Sequence, residues 1–346
     1  MSVRCVSHHR QRGIAVITAL LLTTLAITLV ASLFWQQQVQ VRAIENQQLQ
    51  LQKQWILRGA LDWASLILRE DAKHSSADHL DEPWAVPLAD TRLDQYVENG
   101  SADDTISGAT LSGGISDAQA RYNLNNLYAN GAIDPAEVAV FARLLDNVKM
   151  NAALAQATAE ALAAAQHPGE VGTEMKPQVA AVNNDGQPGP QPMNLTQLED
   201  LLAVSGFSQE MPGFSPEMPG FSQEMPGFSP EMIDKLKNFV IFLPRATPLN
   251  VNTAPAEVLA ARFEALSLDE ATALVTMRKT ASFRDLADFT HRLPDKSFAA
   301  AANQASVETH YFLVDGKVRM NRAALDMQAL IERNGANTKV IWIREY

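Results

Sequence analysis

Cysteine is almost absent from this chain of 346 residues, because Cys5 is the only one. A single thiol excludes an intramolecular disulfide and a zinc site built from cysteine ligands. The fold must therefore be stabilised by packing and hydrogen bonding. The redox compartment stays open, since a protein of an oxidising compartment can also lack disulfides.

Motifs for catalysis and nucleotide binding are also missing. The sequence contains no Gly-x-Ser-x-Gly, no Walker-type phosphate loop and no dinucleotide fingerprint. The histidines are scattered, and the densest polar cluster is His74 and His79 with Asp78, Asp81 and Glu82, which we interpret as a polar helix end. The sequence therefore predicts a protein that is not an enzyme and has no cofactor.

Positive charge is scarce. Lys and Arg number 28 against 39 Asp and Glu, so the formal net charge is −11, and no basic cluster stands out along the body of the chain. An acidic surface repels the phosphate backbone of nucleic acids. We therefore expect no nucleic-acid partner.

Charge of either sign is absent between Arg12 and Arg42, and residues 14–35 form a continuous apolar run. At about 1.5 Å per residue, a helix of this length crosses the roughly 30 Å hydrocarbon core of a membrane. The arginines ahead of the run predict a cytoplasmic N-terminus, because positive charge is retained on that side. The rest of the chain is then expected across the membrane.

Three interpretations of this segment compete. A cleaved secretory signal would need a shorter apolar core and a small-x-small site after it, and residues 30–32 match that site poorly. Hydropathy alone favours an ordinary membrane anchor. A third interpretation, a prepilin-type signal, is favoured by Gly13, which lies between the basic leader and the apolar run.

This junction resembles that of the type IV pilin and pseudopilin family. The resemblance implies that a prepilin peptidase cuts between Gly13 and Ile14 and that the new N-terminal Ile14 is methylated. No proline occurs from Ile14 to His79, and residues 36–71 are rich in helix formers. We therefore expect one helix that runs unbroken from the membrane into the periplasm.

The fifth position of the mature chain would be Thr18. Most pilins have a glutamate there, which can neutralise the amino terminus of a neighbour already in the filament. A carboxylate in lipid is costly without a cationic partner, so a subunit with no neighbour ahead of it gains nothing by carrying one. Within the family resemblance, Thr18 predicts the subunit at the filament tip; alone, it is a tolerated membrane residue.

Three further segments resemble the minor pseudopilin K (GspK) family of type II secretion: RGALDWA at 58–64, EPWA at 82–85 and DAQARYNLNNL at 117–127. The resemblance extends through most of the chain, and its motifs are structural. It implies an α+β, type IV pilin-like fold, in which a long N-terminal helix packs on an antiparallel sheet. A large inserted all-α domain with helix-hairpin-helix (SAM-like) units would interrupt that sheet.

The same resemblance implies a function in assembly. The chain would cap the pseudopilus tip with minor pseudopilins I and J and prime its growth for the export of folded proteins. Its other expected partners are the major pseudopilin, further type II secretion components, the prepilin peptidase and the inner membrane. It would cross that membrane once, with its C-terminal body in the periplasm.

The domain organisation follows from these segments. We expect a leader peptide at 1–13, a transmembrane segment at 14–35, a periplasmic helix with the first strands at 36–126, an inserted helical domain at 127–308 and closing strands at 309–346. Composition predicts a strand hairpin at 105–124, helices after Asp134-Pro135 and at 152–165, an exposed linker at 167–191, and strands at 309–314, 317–321 and 339–342.

A seven-residue repeat of the form GFS-Q/P-EMP occupies residues 207–232. Each unit contains Gly and Pro, which excludes a continuous coiled-coil helix. The unit is also shorter than the roughly 20 residues of the smallest solenoid repeat. We interpret it as an expanded loop, with a sticky Met/Phe-rich tip as the alternative.

Residues 248–259 resemble the opening of a helix-hairpin-helix module, with Thr253 and Pro255 suited to cap and start a helix. Such modules bind DNA phosphates through a glycine-rich hairpin. The corresponding residues 262–268 contain no glycine and include the acidic Glu264. We therefore expect a packing unit.

Members of the K family also carry a calcium-binding run of aspartates in the insertion. Calcium takes about 6 to 8 oxygen ligands, so several carboxylates must converge. The corresponding residues 159–170 lack the aspartates, although Asp185 or the Glu199–Asp200 pair could contribute to a weaker site. We expect no metal.

Two functions of other classes stay open at this point. The chain could be a type IV pilus minor pilin used in adhesion or DNA uptake, which predicts motility defects instead of retained exoproteins. It could also be a membrane-anchored helix-hairpin-helix DNA-binding protein, which predicts binding to duplex DNA at moderate salt.

Overall fold

The computed structural model of the chain describes residues 12–93, 109–166, 195–204, 227–293, 304–320 and 323–346. Its first element is the 60-residue helix α1 (Arg12–Asp71), which has no proline to interrupt it. The expected long N-terminal helix is thus confirmed. It ends eight residues before His79, where the chain turns back toward a sheet.

The remaining described helices are α2 (Pro135–Asn147), α3 (Leu154–Gln166), α4 (Pro230–Leu236), α5 (Ala256–Arg262), α6 (Leu268–Arg278) and α7 (Leu286–His291). The described strands are β1 (Leu88–Arg92), β2 (Thr110–Asp117), β3 (Tyr122–Asn123), β4 (Tyr128–Ala129), β5 (Ala132–Ile133), β6 (Val240–Ile241), β7 (Leu249–Asn250), β8 (Ala305–Ser306), β9 (Tyr311–Met320), β10 (Ala323–Asn334) and β11 (Asn337–Glu345).

Five of these strands form one antiparallel sheet in the order β1-β2-β9-β10-β11. Strands β2 and β9 are neighbours in the sheet, but the elements from β3 to β8 lie between them in sequence. The expected antiparallel sheet, interrupted by a large inserted segment, is therefore present. We call the segment from the end of β2 to the start of β9 the insertion.

The described insertion is not built of helices alone. Beside α2 to α7 it contains three short two-stranded ladders, in which β3 pairs with β6, β4 with β5, and β7 with β8. One large apolar cluster fills its interior, with Phe141, Leu144, Phe263, Phe283 and Phe289 among its fully buried members. The insertion thus has a core of its own.

The two faces of the sheet pack against different partners. Residues Phe312, Val314 and Val318 of β9 face α1. The alternating residues Tyr311 and Leu313 belong to a separate cluster with residues 241 and 243 of the insertion. This alternation is the two-residue period of a strand that is covered on both faces. The sheet is therefore held between α1 on one side and part of the insertion on the other.

Several strand predictions are corrected by the structure. Residues 309–314 and 317–321 were expected as two strands, but β9 is one continuous strand that passes through Gly316. A Cβ at Gly316 would lie 3.2 Å from Leu57 Cδ2, so this glycine lets α1 approach the sheet and does not mark a turn. Within 105–124, the described residues form one sheet strand, β2, followed by a 3-10 turn and the short β3.

Strands β1 and β10 have no counterpart in the sequence predictions. The β10 sequence, AALDMQALIERN, consists largely of helix-forming residues. Pairing with β9 on one side and β11 on the other fixes it as a strand, because tertiary contacts outweigh local propensity.

Candidate assembly surface and buried junction

One helix in the described part of the chain is long and apolar enough to cross a membrane, and it begins near the N-terminus. Its apolar window is not buried against the rest of the protein. Three threonines in this segment are satisfied locally: Thr23 and Thr24 donate to the Leu20 carbonyl at 2.9 and 3.0 Å, and Thr28 donates to that of Leu25 at 2.8 Å. These threonines therefore add little cost in lipid.

The residues expected to direct processing lie at the start of this helix. Gly13 and Ile14 belong to the first turn of α1, and Thr18 follows with an exposed side chain. The structure thus places all three on one end of a single helix. Cleavage, methylation and the tip-specifying role of Thr18 stay predictions.

Beyond the apolar run, α1 carries apolar side chains on two opposite faces. The inward face packs on the sheet and consists of Leu57, Leu61, Ala64 and Leu68. The outward face consists of Leu51, Trp55, Trp63 and Leu66, which are 50%, 69%, 50% and 53% exposed. Both sets follow spacings of three, four or eight residues, so each marks one side of a helix. We call the second set the outward stripe.

A groove borders the outward stripe where α1 meets the edge strand β11. Its volume is about 310 Å³, and its lining includes Trp55, Arg58, Met327 and Ile343. Gln54 Nε2 donates to Glu345 Oε2 at 3.1 Å and links the helix to the strand. Apolar and charged groups therefore meet at this edge of the sheet, next to the exposed tryptophan.

Sequence reasoning found the apolar positions of this helix but did not separate its two faces. A helical wheel shows two apolar sides and cannot say which one the protein's own sheet covers. The signal that could have separated them is residue type. Both tryptophans of this segment lie on the outward face together with two leucines, whereas the inward face contains only leucine and alanine, which pack closely on a sheet.

A second site is a buried polar junction between the sheet and the insertion. Its centre is Asp117, the last residue of β2, which is 3% exposed. Its carboxylate accepts hydrogen bonds from Thr253 Oγ1 at 2.5 Å, Asn250 Nδ2 at 2.8 Å, Thr309 Oγ1 at 2.5 Å and the Gln119 amide at 2.7 Å. One carboxyl thus joins the strand that leaves the sheet, the segment that returns to it and the interior of the insertion.

Arg333 of β10 completes the junction from the sheet side. Its guanidinium donates to Asp71 Oδ2 at 2.8 Å and to Asp78 Oδ1, and it lies over the Phe312 ring. Asp78 also accepts the Thr309 amide at 2.6 Å. The end of α1, the loop after it and the start of β9 are therefore tied to one buried cation.

Burial controls the acidity of these groups. Loss of solvation raises the pKa of Asp78 to about 7, although Arg333 acts in the opposite direction. The pKa of Asp117 is raised for the same reason, against the effect of its four hydrogen bonds. Burial also lowers the pKa of Arg278, which donates to the Val251 carbonyl at 2.7 Å, to about 10.

This junction includes a group of three described carboxylates with oxygens close enough to share a cation, namely Asp71, Asp78 and Glu82. The guanidinium of Arg333 already occupies two of them. Glu82 accepts the His79 amide at 3.0 Å and Trp84 Nε1 at 2.7 Å. The donor set therefore fits an ion-pair network. Of the residues predicted to form a polar helix end, Asp78 and Glu82 are buried in this network, whereas His74 and Asp81 are exposed.

The prediction that Thr253 caps the first helix of the helix-hairpin-helix segment is wrong. Thr253 donates to Asp117 and does not cap a helix, while Pro255 takes the N-cap position without a side-chain hydrogen bond and α5 begins at Ala256. Helix α6 is capped by Ser267, whose hydroxyl accepts the Glu270 amide while the Glu270 carboxylate accepts the Ser267 amide. Thr253 thus serves the junction.

The arginines at the ends of these two helices point inward. Arg262 forms a two-pronged ion pair with Glu137 at 2.6 and 3.0 Å and lies over the Tyr122 ring, and Arg278 is 6% exposed. Phosphate binding needs accessible cations. The arrangement of α5 and α6 therefore favours packing within the insertion.

The acidic residues considered for a weak calcium site have different surroundings. Asp200 Oδ2 accepts the amides of Thr196 and Gln197 at 2.8 Å each and caps a 3-10 turn, while Glu199 is exposed. Asp185, residues 167–191 and nearly all of the repeat at 207–232 lie outside the described residues. The absence of a metal cofactor stays a prediction.

Comparison with known proteins gives consistent matches. The family description "Type II secretion system (T2SS), protein K" matches residues 249–308, and a second model of the same protein matches residues 120–212. Type II secretion system protein K of Pseudomonas aeruginosa is 29% identical over 329 residues, which cover 90% of this chain and 85% of the relative. The Klebsiella pneumoniae protein of that name is 26% identical over 346 residues, covering 96% of each.

The fold also has a solved counterpart. A chain in the crystal structure of the GspK-GspI-GspJ complex from the enterotoxigenic Escherichia coli type 2 secretion system aligns with a TM-score of 0.58 and 21% identity. The alignment covers 87% of this chain and 98% of that chain. The long N-terminal helix and the antiparallel sheet described above match that fold.

Proposed function

This chain belongs to the type II secretion system protein K family, and on that basis we propose that it is a minor pseudopilin that caps the pseudopilus tip. In this proposal it joins minor pseudopilins I and J, primes growth of the filament and so supports export of folded proteins from the periplasm. Its work is mechanical assembly. The matches to protein K favour this class over a type IV pilus minor pilin.

The outward stripe of α1 is the observation that carries the proposal. Four large apolar side chains, two of them tryptophans, are half or more exposed on a helix whose other face already packs on the sheet. Several large apolar side chains exposed along one side of a helix mark a candidate interaction site. The stripe continues along the helix that would cross the membrane, so a partner helix anchored in the same membrane can run beside it.

The position of the insertion supports a place at the tip. The junction that holds it includes Asp71, the last residue of α1. At about 1.5 Å per residue, Asp71 lies roughly 54 Å along the helix from Trp35, where the apolar run ends. The insertion would therefore sit on the membrane-distal end of the subunit. Subunits that join the filament at the membrane would not contact the insertion, whereas a subunit placed above this chain would collide with it.

Processing and topology complete the proposal. Cleavage between Gly13 and Ile14 by the prepilin peptidase would expose Ile14 for methylation, and the body would lie in the periplasm. Thr18 at the fifth mature position would need no neighbour above it, which agrees with the first subunit of a filament. The major pseudopilin would then extend the filament from below.

The helix-hairpin-helix units of the insertion are proposed as packing elements without a nucleic-acid ligand. This agrees with the inward-facing Arg262 and Arg278 and with the acidic balance of the chain. A membrane-anchored DNA-binding protein would instead retard duplex DNA in a mobility assay at moderate salt.

The secretion phenotype tests the function. We expect a strain that lacks this chain to keep its type II substrates in the periplasm and to release them again when the wild-type gene is restored. A chain with Trp55→Glu, folded but with a charge in the outward stripe, should fail to restore release, whereas a change of the exposed Asp234 to Asn should restore it. Normal release from the strain without the chain would contradict the proposal, and a loss of motility alone would indicate a type IV pilin.

A further inference from the structure

The junction contains more buried acidic groups than basic groups to balance them. The titratable and charged groups that face it are Asp71 of α1, Asp78, His79 and Glu82 of the following loop, Asp117 of β2, Arg121 after it, Arg278 of α6, His310 before β9 and Arg333 of β10. Only Arg333 directly contacts a carboxylate among the three described guanidinium groups.

Three of the carboxyls lie close together, and Arg333 contacts two of them, Asp71 and Asp78. Asp71, Asp78 and Glu82 each have an oxygen within 4.8 Å of the other two, and Asp78 and Glu82 are 3% and 6% exposed. Like charges at such distances in a low-dielectric site disfavour full ionisation, so two carboxyls tend to share one proton. Arg333 pairs with Asp71 and Asp78 but not with Glu82, which has the imidazole of His79 at 3.9 Å, so one guanidinium faces three carboxylates. A proton held near neutral pH relieves this excess.

The same groups hold the insertion in place. Asp78 accepts the Thr309 amide just before β9, and its own carbonyl accepts Asn250 Nδ2 of the insertion at 3.1 Å. Asp78 also donates its amide to the Val307 carbonyl at 2.8 Å. Charge repulsion at Asp78 would therefore weaken the contacts that join the sheet to the insertion and to the segment before β9.

We propose that the junction is a proton-sensitive clamp, which holds the insertion against the sheet most firmly while one buried carboxyl is protonated and weakens when all of them are ionised. Asp78 is the group that carries the proton, since burial raises the pKa of its carboxyl to about 7. In the opened junction the carboxyl is hydrated and titrates near its ordinary value. At a pH between the pKa of this carboxyl in the opened junction and its pKa in the closed junction, opening therefore releases a proton. Rising pH consequently favours opening.

Hydrogen exchange of the full-length chain in detergent tests the clamp. Exchange would be measured by mass spectrometry at pH 6 and pH 8, with times scaled for the intrinsic pH dependence of exchange. We expect amides in residues 305–313 and 249–254 to lose about tenfold in protection between these values, because one proton is released on opening. Helix α2, within the core of the insertion, serves as the internal reference and should keep its protection.

Variants identify the responsible group. Asp78→Asn cannot ionise and should abolish the loss of protection, while Asp234→Asn, an exposed aspartate of α4, should keep the wild-type behaviour. If Asp78→Asn does not fold, Glu82→Gln provides the second test: removal of a like charge should move the loss to lower pH. Equal or increased protection at pH 8 in the wild type would overturn the clamp, as would an unchanged pH dependence in a folded Asp78→Asn chain.

Discussion

Two residues of α1 that are two positions apart should affect different properties when each is replaced by alanine: one the association with partners, the other the stability of the fold. Trp55 belongs to the outward stripe and is 69% exposed, whereas Leu57 is 1% exposed against the sheet. We expect Trp55→Ala to weaken association with minor pseudopilins I and J and to leave the fold intact. Leu57→Ala should destabilise the fold and leave the association surface unchanged.

The structure gives the magnitudes. A large apolar side chain that becomes buried at an interface contributes about 2 kcal/mol, so Trp55→Ala should raise the dissociation constant about 30-fold. Leu57 is packed so tightly that its Cδ2 lies 3.2 Å from the Cβ position at Gly316, which leaves little space for the site to collapse. Truncation to alanine should therefore lower the free energy of unfolding by about 2 to 5 kcal/mol.

Both quantities can be measured on the same detergent-solubilised chains. Denaturant unfolding followed by circular dichroism gives the free energy of unfolding, and titration of pseudopilins I and J onto the immobilised chain gives the dissociation constant. Glu264→Ala, a change of an exposed residue in the insertion, is the matched control for both. An unchanged dissociation constant for Trp55→Ala, together with full stability, would refute the assignment of the outward stripe as an assembly surface.

Three further predictions address the sheet, the junction and the leader. A Cβ at Gly113 would lie 2.2 Å from a backbone oxygen of β9, while one at Gly114 would meet nothing nearer than 3.7 Å. Gly113→Ala should therefore lower the free energy of unfolding by about 1 to 3 kcal/mol and the thermal midpoint by several degrees. Gly114→Ala should change both quantities little. Equal effects of the two changes would contradict the close approach of the strands. Because the raised pKa of Asp78 means that the folded chain binds more protons than the unfolded chain, stability should fall as pH rises from about 4 to about 7, by at most about 1.4 kcal/mol per pH unit. Thermal unfolding between pH 5 and 8 measures this, and a midpoint that rises over that range would reverse the sign. Intact-mass analysis should find a chain that begins at methylated Ile14 only in cells with prepilin peptidase, and a chain that keeps Gly13 in both strains would indicate an ordinary anchor.

The long helix was predictable because its determinants are local. Helix-forming residues, the absence of proline and the uncharged run all lie within α1 itself. Strand β10 is the opposite case, since its Ala- and Leu-rich sequence prefers a helix and only the flanking strands fix it. The expected division of 309–321 into two strands failed for a related reason, because the need for Gly316 comes from Leu57, far away in sequence.

The junction could not be found from sequence, although one of its residues lies in a motif that the sequence analysis singled out. Asp117 is part of the 117–127 segment, but its partners Asn250, Thr253 and Thr309 are 133, 136 and 192 residues away. Thr253 matches a local capping pattern, and nothing in its neighbourhood shows that a buried carboxylate accepts its hydroxyl instead. Long-range polar contacts of this kind leave no periodic signal.

Isolation of the tagged chain from solubilised membranes, with identification of the proteins that accompany it, tests the central claim most directly. We expect the wild-type chain to retain minor pseudopilins I and J in comparable amounts, and the Trp55→Glu chain to lose both while Asp234→Asn keeps them. A folded, correctly processed wild-type chain that retains neither pseudopilin would contradict its assignment to the pseudopilus tip.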